Sequence, residues 1–240
     1  MKAYTIKALY AIMLAGLMVL IVLIVARWNH HGASSIPQEH TIAYEGALYG
    51  RVSFDDPSLD HLNPENIRGD DLEYLFTLDD QTAPGGHPYS GCPVYRYKPM
   101  RSTALLIVNC DREYEPYVFA NFFEQDKSGR DLLDVFGIDD GGQVESAGIY
   151  AGPGLKEVKK FAGREDIDSL LDFIARGANA KDEFLAAKTA EKNGEQIHYL
   201  VFRLSGGMRM RFEIRDEEGY LVGYGLYLKI SDEHMPLFDR

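Results

Sequence analysis

The chain has 240 residues, a formal net charge of −12, and a composition that is 45% hydrophobic and 12% aromatic. Its acidic balance argues against binding to nucleic acid or to anionic lipid headgroups, because a negative field repels both. The aromatic content argues against intrinsic disorder. Beyond the first forty residues the chain is long enough to bury one good hydrophobic core or two small ones.

The first predicted element is a transmembrane helix. Ala8 to Ala26 is an unbroken run of uncharged, mostly apolar residues, and as a helix it would span ~28 Å, close to the ~30 Å apolar thickness of a bilayer. Lys2 and Lys7 precede the run, so the positive-inside rule places residues 1–7 in the cytoplasm. We therefore predict a single-pass protein of the cell membrane, with a cytoplasmic tail (1–7), an anchor within the lipid bilayer (8–27) and an extracytoplasmic C-terminal part.

A cleaved signal peptide is the alternative, and cleavage of a fraction of the protein stays open. The apolar segment of a signal peptide usually has ~7–15 residues and ends at a small-x-small site. This run is longer, it ends in Arg27-Trp28-Asn29, and Trp28 fits an interfacial anchor. An uncleaved anchor is therefore favoured. Residues 28–40 form a predicted stalk, because Ser and Pro occur there without hydrophobic periodicity.

Residues 41–138 are predicted to be a mainly β subdomain. Val94 to Lys98 and Ser102 to Asn109 are strand-like runs on either side of a turn. A hairpin centred on residue 101 places Cys92 opposite Cys110, at a separation that a disulfide accepts. Outside the membrane, the only two cysteines of a chain are more often bonded than free.

Residues 139–240 are predicted to be an α+β subdomain, with the boundary at the turn-forming segment 138–142. The pattern indicates two β-hairpins, the second formed by Ile197 to Leu204 and Met208 to Ile214, with helices between them. Tyr220 to Ile230 is interpreted as one further strand. The predicted fold class is therefore α+β: a transmembrane helix followed by antiparallel sheets with helices packed on one face.

Two stretches resemble known exported domains. Cys92-Pro-Val-Tyr-Arg-Tyr-Lys-Pro, continuing through Leu105-Leu-Ile-Val-Asn, resembles the strand, turn and strand of membrane-anchored regulators of Gram-positive bacteria. Val144 to Ile230 is similar in element order to small ectodomains of Gram-positive lipoproteins. The resemblance implies an α+β fold in the extracytoplasmic compartment. It implies no activity, since neither stretch carries a catalytic or ligand motif.

Catalytic and metal sites find little support in the sequence. A Cys92 nucleophile with His87 as its base is possible in principle, but a structural disulfide is the better interpretation. His30 and His31 are adjacent but lack the spacing of a metal site. Four acidic pairs lack the spacing of a calcium loop, and no glycine pattern indicates a phosphate or dinucleotide site. We therefore predict no catalytic residue, no metal and no cofactor. The acidic pairs are Asp55-Asp56, Asp70-Asp71, Asp79-Asp80 and Asp139-Asp140.

A partner surface is predicted on the last strands. If the hairpin pairs about Gly206, Arg203 opposes Arg209 and Arg211 follows on the same side. Like charges on one sheet face need compensation, either from carboxylates such as Glu213 and Glu195 or from an anionic partner. Gly223 and Gly225 remove side chains nearby, so that either a packed helix or an open groove is expected.

The sequence therefore predicts a binding or sensing module without catalytic activity, whose partner is an exported protein or an envelope component. Two alternatives remain: a cell-envelope hydrolase with a dispersed site, and a structural subunit of a membrane complex. A deep cleft with convergent titratable groups would favour the hydrolase.

Overall fold

The structure is a computed structural model that describes residues 40–59, 62–79, 81–83, 87–152, 155–187 and 197–239. These residues belong to one unit, Gln38–Arg240. Within the described ranges, no helix has the length and apolar character needed to cross a membrane. The predicted tail, anchor and stalk up to residue 39 lie outside these ranges, so the anchor stays a prediction.

The described residues form an α+β fold with two antiparallel sheets, as the sequence predicts, and each sheet has six strands. The strands of the first sheet are β1 (Thr41–Tyr44), β2 (Ala47–Arg51), β3 (Leu72–Thr77), β4 (Pro93–Tyr97), β5 (Leu105–Cys110) and β6 (Glu113–Phe122). In space their order is β1-β2-β6-β5-β4-β3.

The first sheet curls until its two edge strands approach each other. The ring of Tyr44 in β1 stacks on that of Phe76 in β3, with centroids 4.9 Å apart. The Ala43 N–H donates to the carbonyl of Thr82, beyond the end of β3, at 2.7 Å. Because the curl and the neighbouring layers cover both faces of the central strand β5, its residues Leu105–Val108 have no exposed surface.

The β4–β5 hairpin has the predicted register. Val94 pairs with Val108 and Arg96 with Leu106, which centres the hairpin on residue 101. Arg101 adopts the left-handed conformation that closes the turn. Cys92 and Cys110 lie at disulfide-bonding distance, with their Cα atoms 5.4 Å apart. The predicted cysteine pair is therefore confirmed.

The second sheet and the helices follow. Its strands are β7 (Val144–Ala151), β8 (Lys156–Phe161), β9 (His198–Leu204), β10 (Arg209–Arg215), β11 (Tyr220–Gly223) and β12 (Leu226–Lys229). Their spatial order is β12-β11-β10-β9-β7-β8. The helices are α1 (Gly129–Phe136), α2 (Arg164–Arg176), α3 (Lys181–Ala187) and α4 (Met235–Phe238).

Helices pack on both faces of the second sheet, which corrects the expectation of a single helical face. The C-terminal end of α2 approaches Leu228 on the inner face, where a Cβ added to Gly177 would lie 3.0 Å from the Leu228 side chain. Phe184 of α3 instead contacts the rings of Tyr220 and Tyr227. Since side chains alternate along a strand, these tyrosines point to the opposite face from Leu228. The chain thus passes around the β12 edge between α2 and α3.

The predicted single strand Tyr220 to Ile230 is wrong, because it is interrupted by a turn. Tyr224 (φ +57°) and Gly225 (φ +79°) form a two-residue turn between β11 and β12, with the two positive φ values of a type I′ hairpin. Aromatic packing holds Tyr224 there: its ring stacks on Phe119 at 5.4 Å and meets Phe136 at 5.3 Å. These contacts join the two sheets.

The predicted boundary at residues 138–139 falls between the strands of the first sheet, which end at Phe122, and those of the second, which begin at Val144. Side chains from both sheets nevertheless belong to one hydrophobic cluster. The division into two subdomains therefore stays a prediction.

Candidate functional site

The β9–β10 hairpin carries the three predicted arginines. Arg203 pairs directly with Arg209, as predicted, and Arg211 pairs with Val201. Strand alternation places Met210 and Phe212 in the core with no exposed surface, so the intervening Arg211 must point to the other face. The structure thus brings Arg203, Arg209 and Arg211 together on the outer face of the second sheet.

Two tyrosines complete this face, and the sequence analysis missed both. The Arg211 guanidinium lies over the ring of Tyr199, 4.7 Å from its centroid, which is a cation–π geometry. Tyr150 of β7 pairs with Tyr199 across the β7–β9 ladder. The hairpin register would have placed Tyr199 diagonal to Arg211. Tyr150 could not be found in this way, because β7 and β9 are distant in sequence.

Tyr150 lies close enough to Arg203 and Arg209 for their charges to affect the pKa of its hydroxyl. Burial is the main cause that raises the pKa of its hydroxyl, and Glu157 raises it further. The charges of Arg203 and Arg209 act in the opposite direction and lower it. The Tyr150 hydroxyl donates to a Glu157 carboxylate oxygen at 3.3 Å. We call the set of Tyr150, Tyr199, Arg203, Arg209 and Arg211 the arginine–tyrosine face.

Carboxylates flank this face. Glu213 forms an ion pair with Arg215 along the same strand, with Nε and Oε1 2.6 Å apart. Glu213 therefore engages an arginine that the sequence analysis did not select. Glu195, the other predicted compensating group, lies outside the described residues.

A cleft opens next to the arginine–tyrosine face, beside the β9–β10 turn. Its volume is about 320 Å³, and Arg203 and Glu145 lie on its lining. Most of the remaining lining is apolar and comes from both sheets: Leu62, Tyr97, Pro99, Leu204 and Met208. A second cleft of about 410 Å³ lies against the same turn and includes Met100, Phe136 and Gln143. Arg203 therefore belongs both to the arginine–tyrosine face and to the lining of a largely apolar cleft.

The two predicted glycines, Gly223 and Gly225, lie in the β11–β12 hairpin close to neighbouring backbone. A Cβ at Gly225 would lie 2.8 Å from the backbone oxygen of Phe122 in β6, and one at Gly223 would lie 3.1 Å from the Arg211 oxygen. The Phe122 N–H also donates to the Tyr224 carbonyl at 3.0 Å. Of the two predicted possibilities, close packing is the one found at Gly225, although a strand rather than a helix makes the contact.

Cys92 and His87 do not form a catalytic pair. Cys92 is joined to Cys110, and His87 is buried, with 3% of its surface exposed. The Tyr89 backbone N–H donates to the His87 Nδ1 at 3.2 Å, and Nε2 lies 3.2 Å from the Tyr117 hydroxyl. Since Nδ1 accepts a hydrogen bond, the neutral ring carries its proton on Nε2. Burial, with the charges of His40 and Arg51, lowers the His87 pKa.

The acidic pairs within the described ranges contribute to turns. Asp79 Oδ1 accepts hydrogen bonds from the backbone N–H groups of Gln81 and Thr82, and Asp56 Oδ1 accepts one from that of Ser58. This is ordinary Asx-turn chemistry. Among the described residues, no group of three or more His, Cys, Asp or Glu side chains is placed to hold a metal ion. His30 and His31 lie outside those residues.

Comparison with known proteins identifies no relative of this chain: no family model matches it, and no curated protein or solved structure matches it significantly.

Proposed function

We propose that this chain is a membrane-anchored, extracytoplasmic binding module, and that the arginine–tyrosine face is where it contacts an exported protein or an envelope component. The proposal rests on one observation: Arg203 and Arg209 are paired across two strands, and Arg211 lies on the same face with its guanidinium over the Tyr199 ring. The three arginines make this part of the sheet surface suited to an anionic partner. They also stand out on a chain whose net charge is −12.

Two further features support the extracytoplasmic placement. The apolar run from Ala8 to Ala26 has lysines on its N-terminal side, which favours an anchor with the following residues outside. The Cys92–Cys110 pair is typical of oxidising compartments. A protease-protection experiment on spheroplasts tests this placement. We expect added protease to digest the domain while a cytoplasmic control protein stays intact, and protection of both would contradict the orientation.

Site-specific photocrosslinking in native membranes tests the partner surface. One photoreactive residue replaces Ser205, which is exposed at the edge of the arginine–tyrosine face, and another replaces Val158, which is exposed on the edge strand β8. We expect a crosslinked product from position 205 that position 158 does not give. Its yield should fall when Arg209→Glu and Arg211→Glu are combined. Identical products from both positions, or a yield unaffected by charge reversal, would remove this face from consideration.

A further inference from the structure

We infer that His87 is an acid-sensitive switch in the first sheet, and that its protonation releases residues 87–91 from β6 while both sheets stay folded. The inference is separate from the proposed partner surface, because its contacts lie within the first sheet. It follows from the two hydrogen bonds of the His87 ring, from the charged groups around that ring and from the fixed points on either side of residues 87–91.

Both nitrogens of the buried His87 ring make polar contacts. Nδ1 accepts a hydrogen bond from the Tyr89 backbone N–H at 3.2 Å, and Nε2 lies 3.2 Å from the hydroxyl of Tyr117 in β6. The His87 carbonyl also accepts a hydrogen bond from the Ser90 N–H at 3.1 Å. The ring and the backbone of one residue therefore hold the turn that leads into β4, and the ring joins this turn to β6.

Protonation is incompatible with the position of this ring. The neutral ring carries its proton on Nε2, so a second proton enters at Nδ1 and turns an acceptor into a donor. Nδ1 then faces the Tyr89 N–H, another donor, and the hydrogen bond between them is lost. A buried charged donor without an acceptor is costly. Movement of the ring into water removes that cost, and the turn that it holds moves with it.

The charges near the ring also oppose its protonation in place. Burial is the main cause that lowers the His87 pKa, and the charges of His40 and Arg51 lower it further. The Glu115 carboxylate could balance a new positive charge, but it already binds the Arg51 guanidinium and the Tyr89 hydroxyl. Among the described residues, the titratable and charged groups placed to act on the ring are His40 before β1, Arg51 of β2, Tyr89 of the turn itself, and Glu115 and Tyr117 of β6.

Fixed points limit how far the release extends. Cys92 directly follows the turn and is bonded to Cys110 of β5, and the Leu78 N–H donates to the Cys92 carbonyl at 2.9 Å. On the other side, the Ala43 N–H of β1 donates to the Thr82 carbonyl at 2.7 Å. Protonation of a histidine leaves these contacts intact. The release should therefore stop at Cys92, and β4 and β5 should keep their pairing.

Release of the turn changes the surface of the first sheet. The Tyr117 side chain has no exposed surface, and its ring lies 5.9 Å from that of His87. Departure of the His87 ring would bring the Tyr117 hydroxyl into contact with water and would free the Tyr89 ring, which packs beside His87 at 5.7 Å. In the proposed extracytoplasmic location the domain meets the external pH directly, so acidification would expose two tyrosines on one side of this sheet.

Hydrogen–deuterium exchange of the 240-residue chain in detergent, at pH 7.5 and pH 5.0, tests the inference. Each rate is divided by that of an unstructured peptide at the same pH, which removes the intrinsic pH dependence of exchange. A ring that regains its ordinary pKa of 6.5 only when it is released should make opening about three- to thirtyfold more frequent at pH 5.0. Protection of residues 87–91 should fall by that factor, whereas residues 105–108 of β5 should keep theirs.

Variants assign the response to His87. His87→Asn keeps a side-chain acceptor for the Tyr89 N–H but does not titrate, so the protection of residues 87–91 should be the same at both pH values. His87→Gln is a second variant that does not titrate, and near-ultraviolet circular dichroism verifies that each variant is folded. His234→Asn is the matched control, because the His234 ring packs on Phe173 of α2 and not on the turn. It should keep the wild-type response.

Three results would overturn the inference. The first is unchanged protection of residues 87–91 in the wild type, and the second is the same acid response in His87→Asn or His87→Gln. The third is a parallel loss of protection in residues 105–108, which would show general unfolding instead of local release. The photocrosslinks from position 205 do not enter these measurements, so failure of this inference and failure of the proposed function are distinguishable.

Discussion

The two sheets differ in how their central strands are covered. In β5 of the first sheet, consecutive residues from Leu105 to Val108 are all fully buried, whereas in β10 of the second sheet buried Met210 and Phe212 alternate with the exposed Arg211. The curl of the first sheet and the neighbouring layers cover both of its faces. Among the described residues, the second sheet instead presents exposed and half-buried polar side chains on the outer face of β10, which is where the proposed partner surface lies.

The largest expected effects test this difference directly. In β5, Leu106→Ala and Ile107→Ala should each lower the free energy of unfolding by about 2–5 kcal/mol. The reason is that both side chains are fully buried, although they point to opposite faces of the sheet. In β10, Phe212→Ala should cost about 3–5 kcal/mol, but Arg211→Ala less than about 1 kcal/mol. Urea unfolding followed by circular dichroism measures all four. A small effect of Ile107→Ala would mean that one face of β5 is solvated.

Removal of the disulfide tests the covalent constraint on the first sheet. The combined substitution Cys92→Ser and Cys110→Ser opens a loop with a sequence separation of 18, and the chain-entropy model predicts a loss of about 3 kcal/mol. Reduction of the wild-type protein should lower its free energy of unfolding by a similar amount and shift its unfolding midpoint accordingly. The double variant should not respond to reductant, and an unchanged wild-type midpoint on reduction would contradict a structural disulfide.

A pair of glycines tests the contact between the two sheets. Gly225 and Gly219 both have positive φ, +79° and +71°, but only Gly225 is close to another strand. Gly219→Ala should cost about 1–2 kcal/mol, because the left-handed conformation disfavours a Cβ. Gly225→Ala should cost about 1–3 kcal/mol more, because its Cβ overlaps the Phe122 carbonyl. If the two variants lost the same free energy of unfolding in thermal or urea denaturation, the contact between Gly225 and Phe122 would add no cost to the substitution.

The smallest effect concerns His87, whose folded-state pKa is lowered from 6.5 by burial and by the charges of His40 and Arg51. The unfolded chain therefore binds more protons than the folded one just below pH 6.5, so stability is fully present above that pH and declines as the pH falls towards the folded pKa. Beside His87, a Glu115 carboxylate oxygen accepts hydrogen bonds from the Arg51 guanidinium and from the Tyr89 hydroxyl.

His87→Asn is the appropriate comparison for this pH dependence, since its side-chain oxygen can still accept from the Tyr89 N–H but does not titrate. The difference in unfolding free energy between pH 7.5 and pH 5.5 should be smaller in the variant than in the wild type. Identical pH dependence in the two proteins would show that His87 makes no contribution.

Local signals predicted the hairpins accurately. The register of β4 with β5, and of β9 with β10, followed from the position of a short turn, so the cysteine pair and the opposition of Arg203 to Arg209 could be read directly. In each of these cases the residues that determine the geometry lie within about twenty positions of one another.

Contacts between distant residues were decided only by the tertiary structure. Tyr150 joins the arginine–tyrosine face through the β7–β9 ladder, Phe184 packs on the outer rather than the inner face, and the Tyr224–Gly225 turn fits against β6. Periodicity specifies which side of an element is apolar, but not which surface that side will meet. That choice depends on complementary shapes brought together across the whole fold, which a pattern of neighbouring residues does not encode.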